Sequence, residues 1–299
     1  MGALQIIDAH HHLWDLDEIK HSWLAEKGVT RFFGDPAPIQ KNYHVTDFKA
    51  DHGALPIVGS VHIQCGVAPQ HNVKETEFVQ AQSDEQGLAN AIVAFCDLTD
   101  ESAQSELDEQ QRFENLRGVR QIVGRDAAED AKNGTNALLE NPVFKDGLQT
   151  LIKREISFDL QLTPPLLPAA ARLFKSIEDL PVAICHAASP QDFSKEGLRN
   201  WEAGLKSFAE HGNMICKISG LGMFDHNWTV ESLRERVLRT IDVFGPSRIA
   251  FGSNFPVDKL YASYEDTFGA FLILTEGFSN SERNDMFFNT AKNFYRIEL

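Results

Sequence analysis

The sequence predicts an α/β chain folded as a single (β/α)8 TIM barrel, and three observations carry that expectation. Eight short apolar, β-branched runs alternate with segments of helical spacing from one end of the chain to the other. No glycine-rich phosphate loop follows the first run, which removes the usual support for the alternative, an open doubly wound sheet. The length of 299 residues suits one barrel, and no repeat or composition break divides it, so residues 1–299 read as one domain.

The expected strands cover residues 6–13, 57–65, 91–98, 119–123, 158–162, 182–187, 214–219 and 249–253. Between them, Leu198, Trp201, Leu205 and Phe208 recur at the spacing of one helix face, as do Phe144, Leu148 and Leu151 after Pro142. Thr229 precedes a run in which Leu233, Val237, Leu238 and Ile241 share a face, and Gly245-Pro246 stops it. Residues 13–52 form an unusually long connection after the first strand, carrying His21, Trp23, Phe32, Phe33 and Tyr43. Leaving the C-terminal end of that strand, it would cover the barrel mouth. Residues 281–295 read as a terminal helix packed outside the barrel.

The formal charge of −15 argues against nucleic acid or an anionic membrane as a partner, since both need a basic face. Cys65, Cys96, Cys185 and Cys216 show no CxxC spacing and fall in apolar runs. They read as buried free thiols of a cytoplasmic protein. There is no signal-like leader and no apolar stretch long enough for a membrane span. A small-molecule substrate is the expected partner, with a homo-oligomer left open.

The sharpest feature is Asp8-Ala9-His10-His11-His12. Strand alternation puts Asp8, His10 and His12 on one face and His11 on the other. Two imidazoles projecting together into a barrel mouth suit a divalent ion, or can polarise a carbonyl directly. His186 ends the sixth strand and Asn254 the eighth, which adjoins the first in a closed barrel. Arg120 ends the fourth, where its planar fork suits a substrate carboxylate. By parity His62 and Gln64 face inward from the second strand and Gln161 from the fifth, as substrate contacts. Lys217 admits either direction. Asp258 and His226 are loop residues that could supply a base, although solvated surface polarity is the blander reading.

His-x-His on strand 1, a histidine on strand 6 and a polar residue ending strand 8 resemble the amidohydrolase superfamily. More narrowly, the chain resembles its lactonase branch, which includes L-fuconolactonase, L-rhamnonolactonase and pyrone-dicarboxylate lactonase. The carrying segments are Ile7-Asp8-Ala9-His10-His11-His12-Leu13-Trp14-Asp15, Ser60-Val61-His62-Ile63-Gln64, Gly118-Val119-Arg120-Gln121-Ile122, Phe158-Asp159-Leu160-Gln161-Leu162, Lys217-Ile218-Ser219-Gly220-Leu221 and Phe251-Gly252-Ser253-Asn254-Phe255-Pro256.

The resemblance implies hydrolysis of a small sugar-acid or dicarboxylate lactone, with His10, His12, His186 and Asn254 as catalytic residues. It implies either one divalent ion, zinc or manganese, on His10, His12 and His186, or a metal-independent site. Two positions depart from the pattern: Asn254 stands where the branch carries an aspartate, and Gln161 or Leu162 where metal-dependent members carry a histidine. Two alternatives follow: a decarboxylase of the same superfamily, which shares the His-x-His start but against which Asn254 counts, and a weakened barrel that binds a sugar acid without turning it over, which Asn254 motivates.

Overall fold

The computed structural model describes residues 4–125 and 127–299. Its strands are β1 (Ile6–His11), β2 (Ile57–Ile63), β3 (Ala91–Ala94), β4 (Leu116–Ile122), β5 (Ser157–Gln161), β6 (Val182–Ile184), β7 (Met214–Ile218) and β8 (Ile249–Phe251). Each pairs in parallel with the next, in sequence order. The seam between β8 and β1 closes just beyond β8: Asn254 N–H donates to the His10 carbonyl at 2.7 Å and His12 N–H to the Phe255 carbonyl at 2.7 Å. The eight-stranded barrel expected from the alternation is therefore present. All strands but β4 and β5 are shorter than the apolar runs, and every strand stops before the end of its run, whose last residues turn out of the ladder toward the mouth.

The helical periods are also realised. Leu198, Trp201, Leu205 and Phe208 are the buried face of helix Lys195–Ala209, and Phe144, Leu148 and Leu151 that of Pro142–Lys153. Phe158 of β5 stands between Phe144 and Phe174, with ring centroids 5.9 Å away on each side. Burial of each such side chain contributes roughly 1.5–3 kcal/mol, so this aromatic seam fixes where β5 sits against its helices. Helix Val230–Phe244 is opened by a capping box of Thr229 and Ser232, and Gly245 ends it with φ +78°.

A separate inner cluster is built from Ile7, Ala9, Val61, Ile63, Val93, Ala183 and Ile215. Here the strand-1 parity needs correction. Asp8 pairs with Ser60, but His11 pairs with His62, so three steps along β1 match two along β2. This bulge resets the alternation. Asp8 turns outward, accepting from the Tyr264 hydroxyl at 2.8 Å, while His10 and His12 stay on the barrel side. Burial raises the Asp8 carboxyl to about 6 despite its hydrogen bonds.

The terminal segment is a second correction. Helix Asn280–Asn284 runs through a π-helical turn, Asp285–Asn289, into helix Thr290–Phe294. Tyr295 does not stay outside: fully buried, it joins the inner cluster and donates to Asp159 of β5 at 3.0 Å. Arg296 donates to the Glu155 carbonyl, just before β5 begins. The chain end thus plugs the barrel from the N-terminal side of the strands. Lys217, left open by the sequence, points inward and pairs with Asp159.

Candidate active site

At the opposite end, the loops after the strands enclose a cavity of about 410 Å3. His12, Gln64, Arg120, Gln161, His186 and Asn254 line it. The long connection supplies Trp23, Arg31, Phe32 and Phe33 to the rim, as its place in the sequence suggested. It is not a bare loop, because helices Ser22–Ala25 and Val45–His52 lie within it. Trp14 and Tyr43 bridge its two arms.

His10 lies beneath the cavity floor rather than in it. Its ring sits 4.4 Å from that of His186 and 5.1 Å from that of His12, and neither of its buried nitrogens has a hydrogen-bond partner. Desolvation first, then Lys217 and the neighbouring histidines, hold its pKa far below the usual imidazole range. Burial likewise lowers His12 to about 3, aided by Arg120, and lowers His186 strongly. All three are neutral imidazoles at pH 7.

Protonation follows from their partners. His12 Nδ1 lies 2.7 Å from the Ile63 carbonyl, which can only accept, so Nδ1 carries the hydrogen and Nε2 the lone pair. That lone pair faces Asn254 Oδ1 at 3.2 Å. His186 Nδ1 pairs with Ser219 Oγ at 3.0 Å, leaving Nε2 toward the cavity. The backbone there is strained: His186, Ala187, Ala188 and Ser189 have φ between +49° and +57°, and Asn254 has φ +58°. A left-handed turn of non-glycine residues costs roughly 1–2 kcal/mol per residue. Trp201 Nε1 braces it by donating to the Ala187 carbonyl at 2.7 Å.

Arg120 donates to Gln161 Oε1 at 2.8 Å and to the Gln64 carbonyl at 2.5 Å, while its Nε has no partner. Gln64 and Gln161 thus reach the mouth as expected, and both orient the guanidinium. His62 does not. Val61 and Ile63 take the inner face of β2, so His62 turns outward, accepting from Leu13 N–H at 3.1 Å and facing Glu75 at 3.8 Å. Counting parity back from Gln64 fails because Gln64 lies past the end of the strand.

Asp258 sits behind Asn254, fully enclosed, with its carboxyl facing the Asn254 amide and the Gly222 and Met223 peptides. Burial raises it to about 7. His226 is away from the floor, stacked on Tyr261 at 4.1 Å. Asp159 was the interior residue missed as such, and it had a signal: it shares β5 parity with Gln161. Arg31, Arg125 and Lys132 on the rim carried none, since loop paths have no period.

Among the described residues, the ligand atoms drawn within 4.8 Å of one another belong to His21, Cys65 and Glu75, not to the three histidines. His10, His12 and His186 are grouped through their rings without forming so close a three-residue set.

A profile of the amidohydrolase family matches residues 7–297. The chain belongs to that family. This amidohydrolase is 36% identical, over 99% of its length and 100% of the relative's, to the uncharacterized protein y4mH of Sinorhizobium fredii. It is 26% identical to an L-fucono-1,5-lactonase of Burkholderia ambifaria, across 98% of this chain and 96% of that one. Its fold matches a zinc-bound amidohydrolase from Burkholderia multivorans with a TM-score of 0.84 at 22% identity, covering 98% of this chain and 100% of the other. No helix among the described residues of this amidohydrolase is long and apolar enough to cross a membrane.

Proposed function

We propose that this hydrolase opens a small lactone that carries a carboxylate, derived from a sugar acid or a dicarboxylic acid. The observation that carries the reading is Arg120, a permanent cation fixed by Gln161 and Gln64 in the same cavity as the His12 and His186 nitrogens. Its fork suits bidentate recognition of a carboxylate. At the rim Arg31 and Arg125 are paired with Glu26 and Glu129, and Lys132 adds a further positive charge, on a chain whose net charge is −15. An anionic substrate is drawn to such a mouth. The lactonase relative supports the same reaction class.

Arg120 holds the substrate carboxylate and places the ester carbonyl over the floor. In the mechanism we propose, the Ser219 hydroxyl, 3.0 Å from His186 Nδ1 and able to donate or accept, takes the donor role, so that Nε2–H donates to the carbonyl oxygen as negative charge develops there. Water attacks the carbonyl carbon, and its proton goes to the lone pair of His12 Nε2. The ring C–O bond then breaks, the leaving alkoxide takes that proton, and a hydroxy acid results. Keeping the histidines neutral is what allows one to donate and another to accept.

A divalent ion fits part of this floor: the one lone-pair nitrogen of neutral His10, the His12 Nε2 lone pair and Asn254 Oδ1 are acceptors that would hold it. When bound, zinc or manganese would polarise the carbonyl and make water more acidic.

The test is a pH-indicator assay over sugar-acid and dicarboxylate lactones, on chelator-treated protein and again with zinc or manganese restored. Ring opening faster on carboxylated than on neutral lactones is expected. No opening above the spontaneous rate in either state overturns the proposal, and loss of hydroxybenzoate absorbance instead would indicate a decarboxylase.

A further inference from the structure

The cluster beside the mouth, rather than on its floor, carries a second conclusion. His21 comes from the long connection, Cys65 from just past β2, and Glu75 from helix Asn72–Gln86. All three are at least nine-tenths buried. From their ligand atoms we infer that they form a buried zinc-type cation site, separate from the histidines of the floor.

The hydrogen bonds leave the right atoms free. His21 Nδ1 lies 2.9 Å from the Ile19 carbonyl, so Nδ1 carries the hydrogen and the lone pair is on Nε2, which has no partner. A histidine oriented by a carbonyl at one nitrogen, with the other free, is the usual state of a metal ligand. Glu75 Oε1 accepts from Cys65 N–H at 2.6 Å, while Oε2 is buried without a partner. His62 accepts at Nδ1 from Leu13, so its Nε2–H is directed toward Glu75, 3.8 Å away, and supports the carboxylate. The His21 lone pair is thus a buried acceptor without a donor, the Glu75 carboxyl is met by the Cys65 thiol and its second oxygen has no partner, and a cation taking the place of the thiol proton would satisfy all three.

The donor set names the ion. Thiolate sulfur, imidazole nitrogen and carboxylate oxygen together suit zinc or cobalt rather than magnesium or calcium. On binding, the Cys65 thiol gives up its proton to solvent, and thiolate plus carboxylate then balance the ion's charge. A neutral assembly can be enclosed where the separate charges could not. The site would pin His21 to β2, and with it Ser22 and Trp23 of the cavity rim.

Full-length protein, stripped by chelator and titrated with cobalt, tests this. A sulfur-to-cobalt charge-transfer absorption should appear in the near ultraviolet and disappear in both Cys65→Ser and Glu75→Gln. Each variant should also lose one equivalent of zinc by elemental analysis, with circular dichroism confirming that it folds. Should Cys65→Ser misfold, Glu75→Gln and His21→Asn carry the test alone. No thiolate band in the parent protein, or zinc content unchanged in folded variants, overturns the inference. Zinc held only by the floor histidines would survive these substitutions and so gives the second of those results.

Discussion

His12 Nε2 and Asn254 Oδ1 meet as two acceptors 3.2 Å apart, because the other His12 nitrogen has given its hydrogen to Ile63. Two arrangements relieve this. The amide can turn so that Nδ2–H donates to His12 and Oδ1 accepts from a protonated Asp258. Otherwise Oδ1 and Nε2 share a cation while Nδ2–H faces ionised Asp258. The amide is thus the element whose orientation separates metal-free from metal-assisted chemistry.

Replacing Asn254 by aspartate supplies the carboxylate that the floor lacks. Manganese affinity, measured calorimetrically, should rise about tenfold or more, equivalent to roughly 1.4 kcal/mol. Manganese is preferred because it discriminates against the Cys65 site. Unchanged affinity would remove Asn254 from the ligand set. A loss of lactone opening in the same variant would show that the amide has a role of its own.

Asp258 links the site to pH. Its folded pKa of about 7 lies above the ordinary carboxylate value of 3.8, chiefly through desolvation. The folded state therefore holds a proton that the unfolded chain releases, and this contribution to stability is lost as pH rises through that window. Asp258→Asn lacks the loss. Relative to the parent, it should gain on the order of 3 kcal/mol in urea unfolding between about pH 4 and about pH 7, then level off. A gap that does not change with pH contradicts the buried-carboxyl account.

Arg120→Met removes the fork but keeps much of its apolar stem. The kcat/KM for carboxylated lactones should fall by the equivalent of about 1.5–3 kcal/mol, while neutral lactones change less. Equal losses on both would mean that Arg120 shapes the floor through Gln64 and Gln161 instead of holding the substrate. Arg120→Lys should not restore the parent, since a point charge cannot reproduce the fork.

Inside the barrel, Asp159 is bound by both Lys217 and Tyr295. Lys217→Met leaves a buried carboxylate without its cation and should cost about 3–5 kcal/mol in denaturant unfolding. The double variant with Asp159→Leu should recover part of that. It should also weaken the suppression of His10 protonation, visible by NMR as a rise in the His10 pKa.

The barrel was legible in the sequence because alternation and helical spacing depend on burial alone, and each strand buries at least one face. Parity carried Arg120 and Gln161 to the mouth, where β4 and β5 run in regular register. It failed at Asp8, where a bulge inserts a residue, and at His62, where the strand ends before Gln64. Both failures are local departures from a period of two, which pattern alone does not reveal. The His21, Cys65 and Glu75 cluster was unreadable for a different reason. Cys65 and Glu75 lie ten residues apart, but His21 comes from a connection whose path no period specifies.

Among the described residues, Tyr295 and the ion pair above it close the far end of the barrel, which leaves the mouth as the way in to the floor. In the proposed reaction lactone, water and hydroxy acid would all use it. The product would leave with one more negative charge than the substrate brought in, past the same Arg31, Arg125 and Lys132 of the rim. Added salt should then speed release at saturating substrate even as it weakens capture, which steady-state kinetics over a salt series would check.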